Sequence, residues 1–337
     1  DRTDLAVLKI DIGDEVLPTL EFADTRAVEV GDLVLAIGNP FGVGQTVTTG
    51  IISAQARTDV GVSDYAFFLQ TDAAINPGNS GGALVDSNGR LVGVNTAIFS
   101  RSGGSNGIGF AIPSEMVKRV VNGAVRDGRV VRPWLGLKGQ AVNAEVARSL
   151  GLDRPMGVLV TEIYPDSPAS KAGLRRGDLV VAIDDREVFD ERGLKFLAAT
   201  LAPGDDTVLA IVREGVATTK RVTLDQPPGA TEADLIELGG DNHPFAGAEV
   251  ADLSPALADE LGRDPFDAGV LINRVYRSSL AARMGLRPGD IVREVNGTVI
   301  EEASDLQHVI EENAGRGSVW SVTIERNGRR ISSNVRI

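Results

Sequence analysis

The chain has 337 residues, of which 42% are hydrophobic, and it carries a net charge of -13, two histidines and no cysteine. That length suits two or three domains, and that hydrophobic share supports a packed interior rather than wholesale disorder. The acidic balance, with no basic stripe, disfavours a nucleic-acid partner; the lack of cysteine excludes disulfides, thiolate catalysis and cysteine-ligated metals; and no run of about 18 apolar residues is available to span a membrane.

No initiator methionine or signal peptide precedes Asp1, and Asp4 leads straight into the apolar run 5–10, which has strand character. The expectation is a start inside a domain. Further short apolar runs at 33–37, 46–54, 69–71, 83–85 and 91–97 read as strands separated by turn residues such as Ser87-Asn88-Gly89. Their spacing implies an all-β barrel or sandwich up to about residue 112. A helix is expected from Pro113 to about Asp127, with Ser114 placed to cap it and Met116, Val117, Val120 and Val121 at helical spacing.

The remainder repeats itself. Gly157-Val158-Leu159-Val160 returns as Gly269-Val270-Leu271-Ile272, and Ala172-Gly173-Leu174-Arg175-Arg176-Gly177-Asp178 returns as Met284-Gly285-Leu286-Arg287-Pro288-Gly289-Asp290, each 112 positions on. Leu150-Gly151 pairs with Leu261-Gly262 at an offset of 111. Two similar domains of about 100 residues each follow, with a linker beginning at Gln226-Pro227-Pro228-Gly229-Ala230.

The segment with most chemical content is Asn76-Pro77-Gly78-Asn79-Ser80-Gly81-Gly82. Acyl transfer needs a nucleophile beside backbone N–H groups aimed at a developing oxyanion, and glycine before the serine frees the backbone to provide them. Gly78 and Ser80 would supply two such groups, while Asn79 either adds a third or shapes the turn. A flexible hairpin turn is the plain alternative. A serine nucleophile also needs a base and an orienting acid. Both histidines, His243 and His308, lie in the second repeat and read as ordinary surface residues. In one known order of the triad the histidine comes first, then aspartate, then serine. If Asp4 is the acid, the base lies before residue 1; the alternative is an exposed aspartate at a frayed terminus. The glycine-rich stretch 38–44 lacks the Gly-Lys-Ser/Thr ending of a phosphate loop, and no His/Asp/Glu cluster has metal spacing. No cofactor is implied.

Taken together these segments resemble the HtrA/Deg family of serine endoproteases, in the branch with two PDZ domains. The carriers are Thr3-Asp4-Leu5-Ala6-Val7-Leu8, Ala36-Ile37-Gly38-Asn39-Pro40-Phe41-Gly42, Gln70 through Gly82, and Gly107-Ile108-Gly109-Phe110-Ala111-Ile112-Pro113. The resemblance implies a mostly β chain: an incomplete trypsin-like double β-barrel over 1–128, a PDZ domain (an α+β partial barrel) over 129–226, a linker over 227–240 and a second PDZ domain over 241–337. It implies catalytic roles for Asp4 and Ser80, a specificity pocket lined by Ile75 and Ile98, a mobile loop over 100–106, and a peptide carboxylate-binding loop at Trp134, Leu135, Gly136 and Leu137. Phe245-Ala246-Gly247-Ala248 takes that loop's position in the second copy and departs from its apolar pattern. The partners implied are unfolded or misfolded proteins and C-terminal peptides, in a trimer-based assembly in the bacterial periplasm or cell envelope. A PDZ-mediated chaperone or scaffold, or a pseudoprotease, is the competing class.

Overall fold

The computed structural model describes residues 3–39, 44–57, 68–100, 103–127, 131–229, 234–313 and 319–337. The chain divides into two units, Asp1–Gln226 and Pro227–Ile337.

The first unit begins with six strands: β1 (Leu33–Gly38), β2 (Thr46–Arg57), β3 (Phe68–Thr71), β4 (Ala83–Asp86), β5 (Leu91–Ile98) and β6 (Gly109–Pro113). They close into a barrel in the order β1-β2-β3-β6-β5-β4. Alternation drives the closure: in β1, Val34 and Ala36 point inward while Leu33 faces out. Inside, Val34, Ala36, Ile52, Leu69, Leu84, Val92 and Ala111 form one apolar cluster. The β4–β5 hairpin is set by Asp86, whose carboxylate accepts the N–H groups of Asn88 and Arg90 at 2.8 and 2.9 Å, with Gly89 at φ +76°.

Residues 5–10 do not form the expected strand. Leu8 is 87% exposed, and among the described residues the β contact between the segment before β1 and the barrel is one bridge, Phe22 to Leu91. A strand needs a neighbour for its N–H and C=O groups. The pairing of β1 with β4 closes the barrel and leaves no edge to offer one. Helix α1 (Ser114–Asp127) follows, with Met116 and Val120 buried. Ser114 lies inside it rather than before it, and its hydroxyl donates to the Ala23 carbonyl at 3.2 Å. It therefore ties down the 21–27 segment instead of capping.

The first repeat completes this unit. Its strands are β7 (Leu137–Ala141), β8 (Val158–Ile163), β9 (Leu179–Ile183), β10 (Arg186–Glu187), β11 (Asp206–Arg213) and β12 (Val216–Thr223), and its helices are α2 (Ala144–Ser149), α3 (Pro168–Lys171) and α4 (Glu191–Ala199). The sheet runs β12-β11-β9-β8-β7, which leaves β7 at an edge. Asp190 starts α4 by accepting the Gly193 N–H at 2.7 Å. The core of this repeat, including Val158, Val160, Leu194 and Leu209, is continuous with Phe68, Phe110, Ile112 and Met116 of the barrel side, and Arg186 forks onto the Glu115 carboxylate at 2.9 and 3.0 Å.

The second unit repeats the plan. Its strands are β13 (Ile236–Leu238), β14 (Ala248–Asp252), β15 (Val270–Val275), β16 (Ile291–Val295), β17 (Thr298–Val299), β18 (Val319–Arg326) and β19 (Arg329–Arg336); its helices are α5 (Pro255–Glu260), α6 (Leu280–Arg283) and α7 (Ala303–Asn313). One clamp recurs in both copies. Buried Asp178 takes the Arg213 guanidinium at 2.6 and 2.8 Å, and buried Asp290 takes that of Arg326 at 2.6 Å twice. Burial alone would push the Asp178 carboxyl up, but the bonds from Arg213 and the Arg175 N–H hold it below its ordinary value. The sheet order is β13-β14-β15-β16-β18-β19, so β13 is an added edge strand without a counterpart in the first copy's sheet.

His243 corrects the sequence reading. It is 4% exposed rather than a surface residue, stacked beside Phe245 with its Nε2 2.7 Å from the Gly239 carbonyl. His308 is exposed and sits 3.2 Å from Glu312.

Candidate active site

The turn between β3 and β4 holds Ser80 at the barrel surface. Gly78 has φ +104° and Gly81 φ +85°, backbone conformations that a side chain resists. The turn is anchored from below by buried Asn95 on β5, whose Nδ2 donates to the carbonyls of Ile37 and Ala83 at 3.3 and 3.2 Å. The Asn95 backbone pairs with Gly81 and Gly82 at 2.8 and 2.9 Å. Gly82 is needed here because a Cβ would lie 2.0 Å from the Ile37 carbonyl oxygen.

Ser80 is exposed, and its Oγ donates to the Thr96 carbonyl at 2.8 Å. Thr96 also faces Asp4, whose Oδ2 accepts a hydrogen bond from the Thr96 hydroxyl. One residue thus links the two sequence-selected groups, 76 positions apart in the chain. Asp4 sits at φ +54°, a left-handed conformation that short polar residues tolerate. Among the described residues, no acceptor takes the N–H of Gly78 or Ser80, whereas the Asn79 N–H is bonded to the Asn76 carbonyl at 2.9 Å. Two backbone donors therefore flank the hydroxyl, and the third is committed to the turn. Unpaired N–H groups beside a surface hydroxyl are what stabilisation of a tetrahedral oxyanion requires.

Ile75 is 1% exposed and belongs to the barrel cluster, with Ile98 packed partly against it. The Ile75 side chain fills the space over Gly109, where a Cβ would meet its Cδ1 at 2.8 Å. Asn76 reaches the other way, its Oδ1 accepting the Ser105 N–H at 2.9 Å. Of the expected mobile loop 100–106, residues 101–102 lie outside the described residues, as do residues 40–43 of the glycine-rich stretch. The flanks are bonded: Ser100 Oγ donates to Gly104 O at 2.6 Å and accepts the Gly103 N–H at 3.0 Å.

In the first repeat, the loop Trp134, Leu135, Gly136, Leu137 leads into edge strand β7. Gly136 has φ +70°, and its carbonyl accepts from the Tyr164 N–H at 2.9 Å and the Ser167 hydroxyl at 3.2 Å. The Leu135 carbonyl accepts from Ala169 N at 2.9 Å, and Trp134 packs edge-on against Tyr164 at 5.2 Å. With the carbonyls turned inward, the N–H groups of Leu135 and Gly136 have no acceptor among the described residues.

Sequence reasoning missed Asn95 and Thr96. The signal was present as a polar Asn-Thr pair inside the otherwise apolar strand 91–98, where a buried polar side chain must have a partner. Both histidines belong to the second unit, and the barrel has none. Among the described residues no group of His, Asp and Glu side chains could hold a metal ion, and no helix is long and apolar enough to cross a membrane.

Comparison with known proteins identifies a trypsin-like peptidase domain over residues 1–94 and PDZ domains over 133–224 and 244–337. A protein of Chlamydia trachomatis named "Probable periplasmic serine endoprotease DegP-like" is 40% identical over 322 residues, covering 96% of this chain and 63% of that protein. A Pseudomonas putida protein of the same name is 40% identical over 335 residues, covering 97% of this chain and 68% of its own length. A solved structure titled "HtrA-type protease AlgW with decapeptide" is 47% identical, covers 68% of this chain and 70% of that one, and has a TM-score of 0.49. The chain spans just under two thirds of the length of the chlamydial relative.

Proposed function

The chain belongs to the DegP-like, HtrA-type family of serine endoproteases, and we propose that it carries the nucleophile half of an ATP-independent endopeptidase that degrades unfolded or damaged proteins in the periplasm. The observation that carries this reading is the turn itself: an exposed Ser80 hydroxyl flanked by two uncommitted N–H groups and joined through Thr96 to Asp4.

In the proposed reaction the Ser80 Oγ attacks the peptide carbonyl carbon. The Gly78 and Ser80 N–H groups take the charge that develops on the carbonyl oxygen. Ser80 gives its proton to a histidine, which passes it to the leaving amine, and water then releases the acyl group. Asp4 orients that histidine and stabilises its protonated form. Because neither His243 nor His308 is in the barrel, the base comes from sequence outside these 337 residues. No cofactor takes part. Asn79 shapes the turn, since its own N–H is spent on Asn76.

Ile75 and Ile98 would line the primary specificity pocket. The packing of the Ile75 side chain against Gly109 supports that reading, in which small or branched aliphatic residues are favoured before the scissile bond. The first PDZ domain would bind C-terminal peptides along β7, with the carboxylate on the N–H groups of Leu135 and Gly136. Assembly into trimers is part of the same proposal. The reading is tested with a fluorophosphonate probe on the protein purified with its upstream sequence: an adduct on Ser80, lost in Ser80→Ala, is expected. A folded protein that stays unmodified favours the second reading, a PDZ-based chaperone or scaffold, for which the open edge of β7 is the supporting observation.

A further inference from the structure

The two repeats differ at the place where a peptide would dock. In the first, β7 is the outermost strand of its sheet. In the second, the equivalent strand β14 is covered by β13, in the antiparallel register Ile236↔Val250, Glu237↔Glu249, Leu238↔Ala248. This is the geometry of a peptide added to a sheet edge. The side chains alternate as a bound ligand's would: Leu238 is 5% exposed and buried in the domain core with Phe245, Val250, Leu306 and Val309, Ile236 packs partly against the same cluster, and Glu237 faces out.

The end of β13 lies at the carboxylate-binding loop. The Leu238 carbonyl accepts the Gly247 N–H at 2.8 Å. Gly247 stands 111 positions after Gly136, at φ +76° against +70°, and its carbonyl accepts from Tyr276 N as that of Gly136 does from Tyr164 N. The Gly136 N–H, without an acceptor among the described residues, thus has a counterpart in Gly247 that is satisfied by the chain's own Leu238, while the Ala246 N–H, counterpart of Leu135, goes to the His243 carbonyl at 3.2 Å. A free peptide would stop at that residue. Here the chain continues through Gly239 and Gly240, the latter at φ +97°, and buried His243 holds the Gly239 carbonyl.

We propose that the second PDZ domain is a peptide-binding groove occupied in cis by Ile236-Glu237-Leu238, and that its exchangeable ligand is a protein C-terminus of the form Ile/Val-x-Leu with a free carboxylate. No residue of the barrel enters the argument, so it stands apart from the catalytic reading. A tethered ligand acts at an effective concentration in the millimolar range. A free peptide of about 10 μM intrinsic affinity is then weakened on the order of a hundredfold.

The test uses the 337-residue chain and the peptide Asp-Leu-Ile-Glu-Leu with a free C-terminus, read by hydrogen exchange, which separates the edge at Ala248–Asp252 from the edge at Leu137–Ala141. In the wild type, 50 to 100 μM peptide (about five to ten times the assumed intrinsic affinity) should add no protection at Ala248–Asp252. In Ile236→Asp/Leu238→Asp those amides should exchange faster without peptide and regain protection at the same concentration, and the amidated peptide should not substitute. Buried Trp320 reports whether the domain is still folded. If the double variant unfolds, Leu238→Ala makes the same comparison, with about a tenfold gain in peptide affinity expected. Equal peptide protection of Ala248–Asp252 in wild type and folded variant overturns occupation in cis. No protection there in the folded variant overturns the groove as a peptide site, and equal protection by the amidated peptide overturns recognition of the carboxylate.

Discussion

Adding one methyl group at Gly109 should destabilise the barrel, and removing one methyl from Ile75 should cancel most of that cost. Gly109 has no positive φ that would penalise alanine. Its new Cβ would instead lie 2.8 Å from Ile75 Cδ1 and 3.1 Å from Cγ1. Overpacking of this kind costs about 1–3 kcal/mol, offset by about 0.4–1 kcal/mol from the reduced freedom of the unfolded chain. The net for Gly109→Ala is then about 1–2 kcal/mol. Ile75→Val alone removes Cδ1 from a residue that is 1% exposed and costs about 0.5–1.5 kcal/mol. In the double variant the atom at 2.8 Å is gone, the alanine methyl occupies the freed space, and the two costs should fall short of their sum by about 1–2 kcal/mol. The assay is urea unfolding of all four proteins, with hydrogen exchange at Phe68–Thr71 confirming that the barrel is what melts. Additivity within about 0.5 kcal/mol would refute the packing of Ile75 over Gly109, and with it the support that this packing lends to the proposed specificity pocket.

Asn95→Ala should cost about 1–3 kcal/mol, because the half-buried carbonyls of Ile37 and Ala83 lose the donor that buried Asn95 supplies; an unchanged urea midpoint would contradict this. Burial holds the His243 imidazole below its ordinary value of 6.5, more than the Gly239 carbonyl raises it. The folded second unit therefore binds fewer protons than its unfolded chain, so its stability is full above about pH 6.5 and declines as the pH falls below that value. Melting of the unit across pH 4.5 to 8, followed by Trp320 fluorescence, should show that decline, and His243→Gln should flatten it (a range spanning the ordinary histidine value, about 6.5). By the same linkage, Asp178, held below its ordinary 3.8, should make the first unit lose stability as the pH falls below about 3.8. Asp178→Asn should remove that contribution.

Much of the fold was legible because it depends on local patterning. Short apolar runs parted by turn residues marked five of the six barrel strands, and the 112-residue offset announced the two copies. What failed were features that depend on neighbours. The run 5–10 is apolar enough for a strand, but a closed barrel offers it no edge. His243 lies in a polar-looking stretch beside Pro244 and is buried by packing that only the tertiary structure supplies. Three residues, Ile236-Glu237-Leu238, are too short to show a period, so β13 was read as linker. Ser80 stood out because its turn needs glycines at fixed places. Thr96 did not, because it contributes a backbone carbonyl and one hydroxyl rather than a motif.

The central claim is that Ser80 and Asp4 are two members of a triad whose third lies outside these residues. Casein cleavage, measured side by side for the 337-residue chain and for the protein with its upstream sequence restored, tests it most directly. The account predicts no turnover by the 337-residue chain and robust cleavage by the longer protein, abolished by Ser80→Ala and severely reduced by Asp4→Ala. Cleavage by the 337-residue chain that disappears in Ser80→Ala would contradict it, as would a longer protein that folds and cleaves nothing.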